Sequence, residues 1–250
     1  MNNISIIIPI LNESETIENL ISHLLKNSSQ ELISEIIIVD GGSTDGSQEI
    51  VQQFVSSSAA ERSQKGVECL KPLIIFLNSE KGRAKQMNTG AKTTQATILY
   101  FLHADSFPPK NFDRLIVNEI EKGHKAGCFK MKFNSSHWWL KLAGWFTQLP
   151  WRICRGGDQS LFITKSLFNE IGGFGENFTI CEDTDFIAKL YKYKQFVVIK
   201  KWLTTSARRY ETIGVWRLQY HFWVIHLKKR FGVSEKDLHH YYLKHVFVKK

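Results

Sequence analysis

His103 and Asp105 stand one residue apart where an apolar run ends, in "FLHADSFPP", residues 101–109. An imidazole and a carboxylate at that spacing mark either a strand end where the chain merely turns or a place where a metal and a ligand are held. Two more apolar runs finish the same way. "SIIIPILNE" delivers Pro9, Asn12 and Glu13, and "EIIIVDGGSTDGS" delivers Asp40 to Asp45. Further on, "CEDTD" gathers Glu182, Asp183 and Asp185. Clustered carboxylates raise one another's pKa, which suits a general base. They are also favoured at any helix N-terminus, so Glu182 and Asp185 need no other role. "RGGDQSLF" offers Asp158 and Gln159 behind two glycines, either as side chains that bind a ligand or as a tight turn into a strand.

The elements that must position these groups alternate β-rich runs with helical periodicity, the pattern of βαβ units around a mainly parallel sheet flanked by helices. Strands are expected at Ile4–Ile8, closed by Pro9, and at Glu35–Val39, Leu73–Leu77 and Thr97–Leu102. Helices are expected through Ile17–Leu25, capped by Asn12 with Glu15 three residues on, after Asp45, around Ala84–Ala91 and over Phe112–Ile120. Ser56 to Gly66 reads as a loop. The second half is less regular: strands at Ala126–Phe133 and Phe196–Ile199, a helix at Glu182–Tyr193, and a Trp-rich stretch, His137–Trp151, that is helix or surface loop. In open α/β sheets ligands bind at the carboxyl ends of strands, and three such ends here carry polar clusters.

The length of 250 residues suits one large domain over 1–210 with a helical extension over 211–250 packed on it. No apolar run approaches the roughly 18 residues of a membrane span. "MNNISIIIPILNE" lacks a basic leader region, so a cytoplasmic protein is expected. Four scattered cysteines without a C-x-x-C pair indicate neither zinc nor redox chemistry. The net charge is +9, and residues 201–250 hold 11 Lys and Arg against 3 Asp and Glu. That surplus favours anionic partners: phosphates, acidic lipid surfaces or nucleic acid. From about Thr212 the pattern predicts two amphipathic helices broken near Gly232. Their stripe Trp216, Tyr220, Trp223 and Leu227 is a face docked on the core or, beside Arg217 and Lys228–Arg230, one that lies on a membrane.

Five motifs in order resemble the family 2 glycosyltransferases with a GT-A nucleotide-sugar-binding fold, over residues 4 to about 195. "SIIIPILNE" is similar to the family's opening strand and Pro-x-x-Asn-Glu turn. "EIIIVDGGSTDGS" is similar to its Val-Asp-Asp-Gly-Ser-x-Asp signature, "KGRAKQMNTGAK" to its Gly/Arg loop and following helix, "FLHADSFPP" to its Asp-x-Asp, and "GGFGENFTICEDTDFIAKL" to its Gly-Gly-Phe and Glu-Asp segments. The His-Ala-Asp places it beside short bacterial members.

The resemblance implies an inverting, single-sugar transfer from a nucleoside diphosphate sugar, with UDP the expected nucleotide. Asp40 would accept from a uracil N–H, with Pro9, Asn12 and Glu13 lining base and ribose, and Arg83 reaching base or diphosphate. Asn88 would fix its loop. Asp105 would hold Mn²⁺ or Mg²⁺ bridging the donor diphosphate, with His103 on metal, phosphate or ribose. Asp183 would be the base. Asp158, Gln159, Glu182 and Arg209 would face sugar or acceptor, and Arg208 or Arg209 would grip the diphosphate. Two positions depart from the family pattern, His103 and Gly41, each standing where an Asp is usual. The acceptor is open, a lipid-linked one suiting the basic aromatic tail and peripheral contact with the inner membrane face. Competing readings are a nucleotidyltransferase that makes nucleotide sugars, which "IIIPILNESE" opposes by lacking glycine, a basic nucleic-acid-binding module without a recognised motif, and a non-catalytic relative.

Overall fold

Isoleucine-rich runs build the parallel half of an eight-stranded mixed sheet, in which β1 (Ile4–Ile10) is buried along its whole length. The computed structural model describes residues 2–29, 31–65, 72–177 and 182–246. β1 lies between β2 (Ile33–Asp40) and β4 (Ile98–Phe101), with β3 (Leu73–Asn78) beyond β2 at the edge. All three pairings are parallel, with Ile7 opposite both Ile37 and Phe101. Parallel strands need crossovers, here α1 (Ile17–Asn27), α2 (Ser47–Lys65) and α3 (Arg83–Thr93). Apolar side chains on both faces of β1 form two separate core layers, Ile6 and Ile8 in one, Ile7 in the other. At Gly90 of α3 a Cβ would stand 2.6 Å from Ile7 Cγ2, so glycine lets that helix lie directly on the sheet.

The second half completes the sheet in the order β4-β7-β6-β8-β5. β5 (Ser106–Phe107) and α4 (Phe112–Glu121) precede β6 (Ala126–Phe133) and α5 (Trp138–Phe146). β7 (Leu161–Thr164), α6 (Lys165–Ile171), α7 (Glu182–Lys192) and β8 (Phe196–Thr205) follow. β7 runs antiparallel to β4 and β6, β8 parallel to β6, and β5 antiparallel to β8. The chain ends in α8 (Arg208–Ile213), α9 (Val215–Arg230) and α10 (Glu235–His245), which share a small core of Leu218, Ile225, Leu238 and Val246.

Several local expectations are revised. β1 does not close at Pro9. Ile7 O accepts from Leu102 N on the β4 side and Ile10 O from Gly41 N on the β2 side, so bonding alternates along the strand. The N–H that Pro9 lacks therefore falls on the β4 side, beyond the paired end of β4, and the strand continues unharmed. Ser56 to Lys65 is helical rather than loop. Ser56 Oγ and Ser57 Oγ donate to the carbonyls of Gln52 and Gln53, four residues back, so the serines bond along the helix instead of ending it; Gly66 lies outside the described residues. Asn12 does not cap α1. It holds a left-handed φ of 56°, and its Oδ1 accepts from Thr44 N across the cleft. The Trp-rich stretch resolves into α5. The stripe on α9 is not packed on the core: Trp216, Tyr220, Trp223 and Leu227 are all more than half exposed, while Leu218, His221 and Ile225 face inward.

Candidate active site

The ends of β1, β2 and β4 and the starts of α3 and α7 converge on one cleft. At the β2 end Asp40 is fully buried, and its carboxylate accepts from Gly42 N (3.0 Å), Ser43 N (3.0 Å), Ser43 Oγ (2.5 Å) and Gln48 Nε2 (2.8 Å). Those bonds wrap the loop around the acid. Ser43 Oγ and Ser47 Oγ in turn accept from Asn12 N and Glu13 N, each at 2.9 Å, which ties the β1 loop to the β2 loop. Gln86 of α3 donates its amide to Ile10 O and Val39 O, both at 2.7 Å, and pins the two strand ends. A Cβ at Gly41 would stand 3.1 Å from the Gln86 amide. A side chain at Gly41 would crowd that amide.

Arg83 opens α3 and gathers the polar centre. Its Nε lies 3.0 Å from Glu182 Oε1 and its Nη1 lies 3.8 Å from Asp183 Oδ2 and 3.4 Å from His103 Nε2. His103 Nδ1 is 3.3 Å from Asp158 Oδ1. Neutral His103 with its proton on Nδ1 satisfies both contacts, donating to Asp158 and accepting from Arg83. Burial works against a charged His103, but Asp158 more than offsets it and raises the imidazole pKa. Asp158 has its side chain 59% exposed. Its surroundings oppose ionisation, yet His103, Arg209 and Arg83 hold it at about 2.

Asp183 sits at the start of α7 with 15% of its side chain exposed. Burial raises its pKa first and the neighbouring Glu182 raises it further, against the pull of Arg83 and His103. A cavity of about 10 Å³, just large enough for one water, separates Asp183 from His103 and is walled by Met87, Phe101 and Phe174. Asn88 holds the last of these in place. Its Oδ1 accepts from Phe174 N and its Nδ2 donates to Phe174 O, at 3.0 and 2.9 Å. Gly172 and Gly173 take positive φ there and stop α6.

Asp105 lies just past β4 with its carboxylate a quarter exposed. Arg208 Nη2 approaches it at 3.7 Å and donates to Glu13 Oε1 and Oε2 at 2.9 and 2.7 Å. Burial raises the Asp105 pKa, and the negative charge of Asp158 adds to that. Two carboxylates feeling each other across the cleft mouth suit a hard cation, which would relieve both. Among the described residues no group of three His, Cys, Asp or Glu forms a ready-made metal cage. A divalent ion would therefore take Asp105 from the protein and most of its oxygens from a ligand. Both His103 nitrogens are engaged, so the imidazole is not free to join it.

Three expected contacts are corrected by this geometry. Pro9 is buried within β1 and lines no cleft. Gln159 is 3% exposed; its Oε1 accepts from Arg155 Nη1 at 2.6 Å and its Nε2 donates to Cys154 O at 2.6 Å, leaving nothing for a sugar. Glu182 is 1% exposed and serves Arg83. Of the two arginines expected near the diphosphate, Arg208 reaches the Glu13–Asp105 side, while Arg209 is exposed and acts on Asp158 through its charge. Sequence reasoning missed Arg155. This buried guanidinium donates to Thr147 O, Leu149 O and Gln159 and so holds the segment that carries Asp158. An arginine before two glycines gives no hint of that.

Residues 5–175 match the profile of Glycosyl transferase family 2. The chain belongs to that family. Among curated proteins this family 2 member is 30% identical over 105 residues to Glycosyltransferase AglE of Haloferax volcanii, covering 42% of this chain and 31% of the other. It is 26% identical over 145 residues to an undecaprenyl-phosphate 4-deoxy-4-formamido-L-arabinose transferase of Proteus mirabilis, covering 57% and 41%. It spans well under two thirds of the length of each. Its fold matches S. aureus TarS residues 1–349 in complex with UDP, with TM-score 0.62, 19% identity and coverage of 82% and 60%. It also matches the mannosyltransferase PcManGT from Pyrobaculum calidifontis in complex with GDP-Man and Mn²⁺, with TM-score 0.63, 17% identity and coverage of 96% and 69%. The GT-A architecture is thus shared. No helix among the described residues is long and apolar enough to cross a membrane.

Proposed function

We propose that this family 2 chain moves one sugar from a nucleoside diphosphate sugar, with UDP the expected nucleotide, to an acceptor hydroxyl with inversion at the anomeric carbon. The carrying observation is Asp183: a carboxylate of raised pKa at a helix start, on a small cavity that His103 also lines. A base must be within reach of the acceptor proton and must be basic enough to take it, and burial beside Glu182 supplies the second condition. Attack on the donor face opposite the leaving diphosphate inverts the centre in a single displacement.

Each remaining group has a task in this reading. The Asn12–Ser43 and Glu13–Ser47 bonds shape the nucleoside end of the cleft, with Asp40 as the buried anchor of its loop. Arg83, held on three sides by acceptors, still has 38% of its side chain exposed and faces the diphosphate. Arg208 carries positive charge to the same mouth. Asp105 would hold the Mn²⁺ or Mg²⁺, which when bound supplies neutralisation of charge on the departing nucleoside diphosphate. Asp158, fixed in direction by His103, presents an ionised acceptor to the hydroxyls of the transferred sugar. The PcManGT complex with Mn²⁺ supports a divalent cation for this chain as well.

A lipid-linked acceptor is favoured, since several relatives are named undecaprenyl-phosphate transferases. The reaction then takes place on the cytoplasmic face of a membrane. The test is a donor screen with and without Mn²⁺, followed by product analysis of the active pair. Release of nucleoside diphosphate with an inverted anomeric configuration is the expected result, and pyrophosphate release would point to a nucleotidyltransferase. Asp183→Asn should lower the rate by about 10²–10⁴-fold while leaving UDP binding nearly intact. Transfer that survives in the variant removes Asp183 as the base. An acceptor phosphate, which attacks without giving up a hydroxyl proton, would show itself in that way.

A further inference from the structure

Tryptophan is normally well covered by the fold, yet Trp138, Trp145, Trp151, Trp216 and Trp223 are each at least half exposed. They are not scattered. On α5 the exposed large apolar residues are Trp138, Leu142, Trp145 and Phe146, at i, i+4, i+7 and i+8. On α9 they are Trp216, Tyr220, Trp223 and Leu227, at i, i+4, i+7 and i+11. Both are single helical stripes pointing away from the core. α9 is apolar on two opposite faces, and only the one bearing Leu218 and Ile225 is packed.

The two stripes join. Trp216 lies 5.8 Å from Trp138 and 5.4 Å from Trp139 between ring centroids, and Trp223 lies 6.1 Å from Trp139. Trp139 Nε1 donates to Gln219 Oε1 at 3.1 Å, which locks the helices in register. Segments more than 70 residues apart thus build one aromatic surface, beyond what a solvated monomer ordinarily leaves bare. Phe231, 77% exposed, and Ile153, 90% exposed, are further large apolar groups left in solvent near the ends of these segments.

The charge around the surface chooses its partner. α9 carries Arg217, Lys228, Lys229 and Arg230 and no acidic residue; α5 carries Lys141 and no acidic residue. Two copies meeting through this face would set like charges against each other. An anionic bilayer offers the complement: acyl boundary for the indoles and headgroup charge for the lysines and arginines. We infer that the α5–α9 face is a membrane-docking surface that lays this protein on an anionic lipid interface without crossing it. The backbone leads directly from this face to the cleft. α8, just before α9, begins at Arg208, which is bonded to Glu13 and stands near Asp105. Docking would hold the cleft at the bilayer, where a lipid-linked acceptor is presented. The docking inference itself is independent of the sugar chemistry proposed above.

The test uses the full chain without any sugar nucleotide. It is mixed with vesicles of phosphatidylcholine alone or of phosphatidylcholine with phosphatidylglycerol, and sedimented. Binding is expected to the anionic vesicles, with a blue shift of tryptophan fluorescence, and to weaken as salt shortens the Debye length from about 8 Å to about 3 Å. The triple variant Trp138→Ser, Trp216→Ser, Trp223→Ser should lose about tenfold or more in partitioning. Its UDP affinity should stay unchanged, because these rings are outside the cleft, whereas its Tm should fall modestly with the loss of the ring contacts to Trp139. Arg217→Glu with Arg230→Glu should lose binding to anionic vesicles without touching the aromatic surface. Three results would overturn the inference: wild type that stays in the supernatant with anionic vesicles, variants that bind as well as wild type, or a wild-type dimer that the Trp variant dissolves. Loss of transfer with vesicle binding intact would count against the proposed chemistry and not against docking.

Discussion

Arg83 Nε lies 3.0 Å from Glu182 Oε1, and the same guanidinium is 3.8 Å from Asp183 Oδ2. One cation thus offsets a carboxylate that is 1% exposed and restrains the pKa of its neighbour. The pair joins the start of α3 to the start of α7, two elements with nothing in sequence to link them.

Removing that cation strands a buried charge. Arg83→Gln should destabilise the fold by about 2–3 kcal/mol, below the ~3–5 of a fully buried pair because Arg83 is 38% exposed. Chemical denaturation of Arg83→Gln, Glu182→Gln and the double variant checks it. The double variant should recover part of the loss, since the buried Glu182 carboxylate is gone as well. Simple additivity of the two single losses would mean that the pair does not interact.

The raised pKa of Asp183 sets two pH dependences of known sign. As a base it acts when ionised, so the rate should fall as pH drops through its raised pKa. Arg83 holds that pKa down, so in Arg83→Gln the acid limb should move to higher pH. For stability, the folded-state pKa lies above the ordinary 3.8. Between these values the folded state keeps a proton that the unfolded chain has released, so Asp183 costs increasing stability as pH rises through the window. Asp183→Asn should raise Tm at pH 7 and leave it unchanged below about pH 3.8, read by thermal melts across pH. An unshifted Tm at pH 7 would mean that the carboxylate is not strained in place.

Gly41 makes a prediction about the family motif. Restoring the usual acid as Gly41→Asp pushes a side chain into the Gln86 amide, which already bonds Ile10 O and Val39 O. The expected loss is about 1–3 kcal/mol. Gly41→Asp with Gln86→Ala should fold better than Gly41→Asp alone, since the obstruction is gone. Denaturation midpoints of the set decide it.

Asp105 makes the prediction about metal. Mn²⁺ or Mg²⁺ should tighten UDP binding by the wild-type chain, and Asp105→Ala should remove most of that gain while UDP still binds weakly without metal. Calorimetric titration of UDP at fixed metal concentrations measures both. His103→Ala, by contrast, should retain the metal dependence, because both of its nitrogens serve Arg83 and Asp158.

The sequence by itself determined the parallel half of the sheet and the positions from which chemistry is delivered. Apolar runs ending in Asn12-Glu13, Asp40 and His103-x-Asp105 are local signals, because a strand's burial and its end are written in consecutive residues. The start of α7 at Glu182 was legible for the same reason. What tertiary structure alone decided is which of those groups are open to a ligand. Gln159 and Glu182 look like Asp158 and Asp183 in sequence, yet partners 4 and 99 positions away, Arg155 and Arg83, have already taken them. The α9 stripe has the periodicity of a docked helix, and only the packing of Leu218 and Ile225 shows that its other face is left in solvent. Hydrogen bonds and ion pairs between distant segments carry no periodicity, so they become visible only when the chain has folded and brought the partners within about 3 Å.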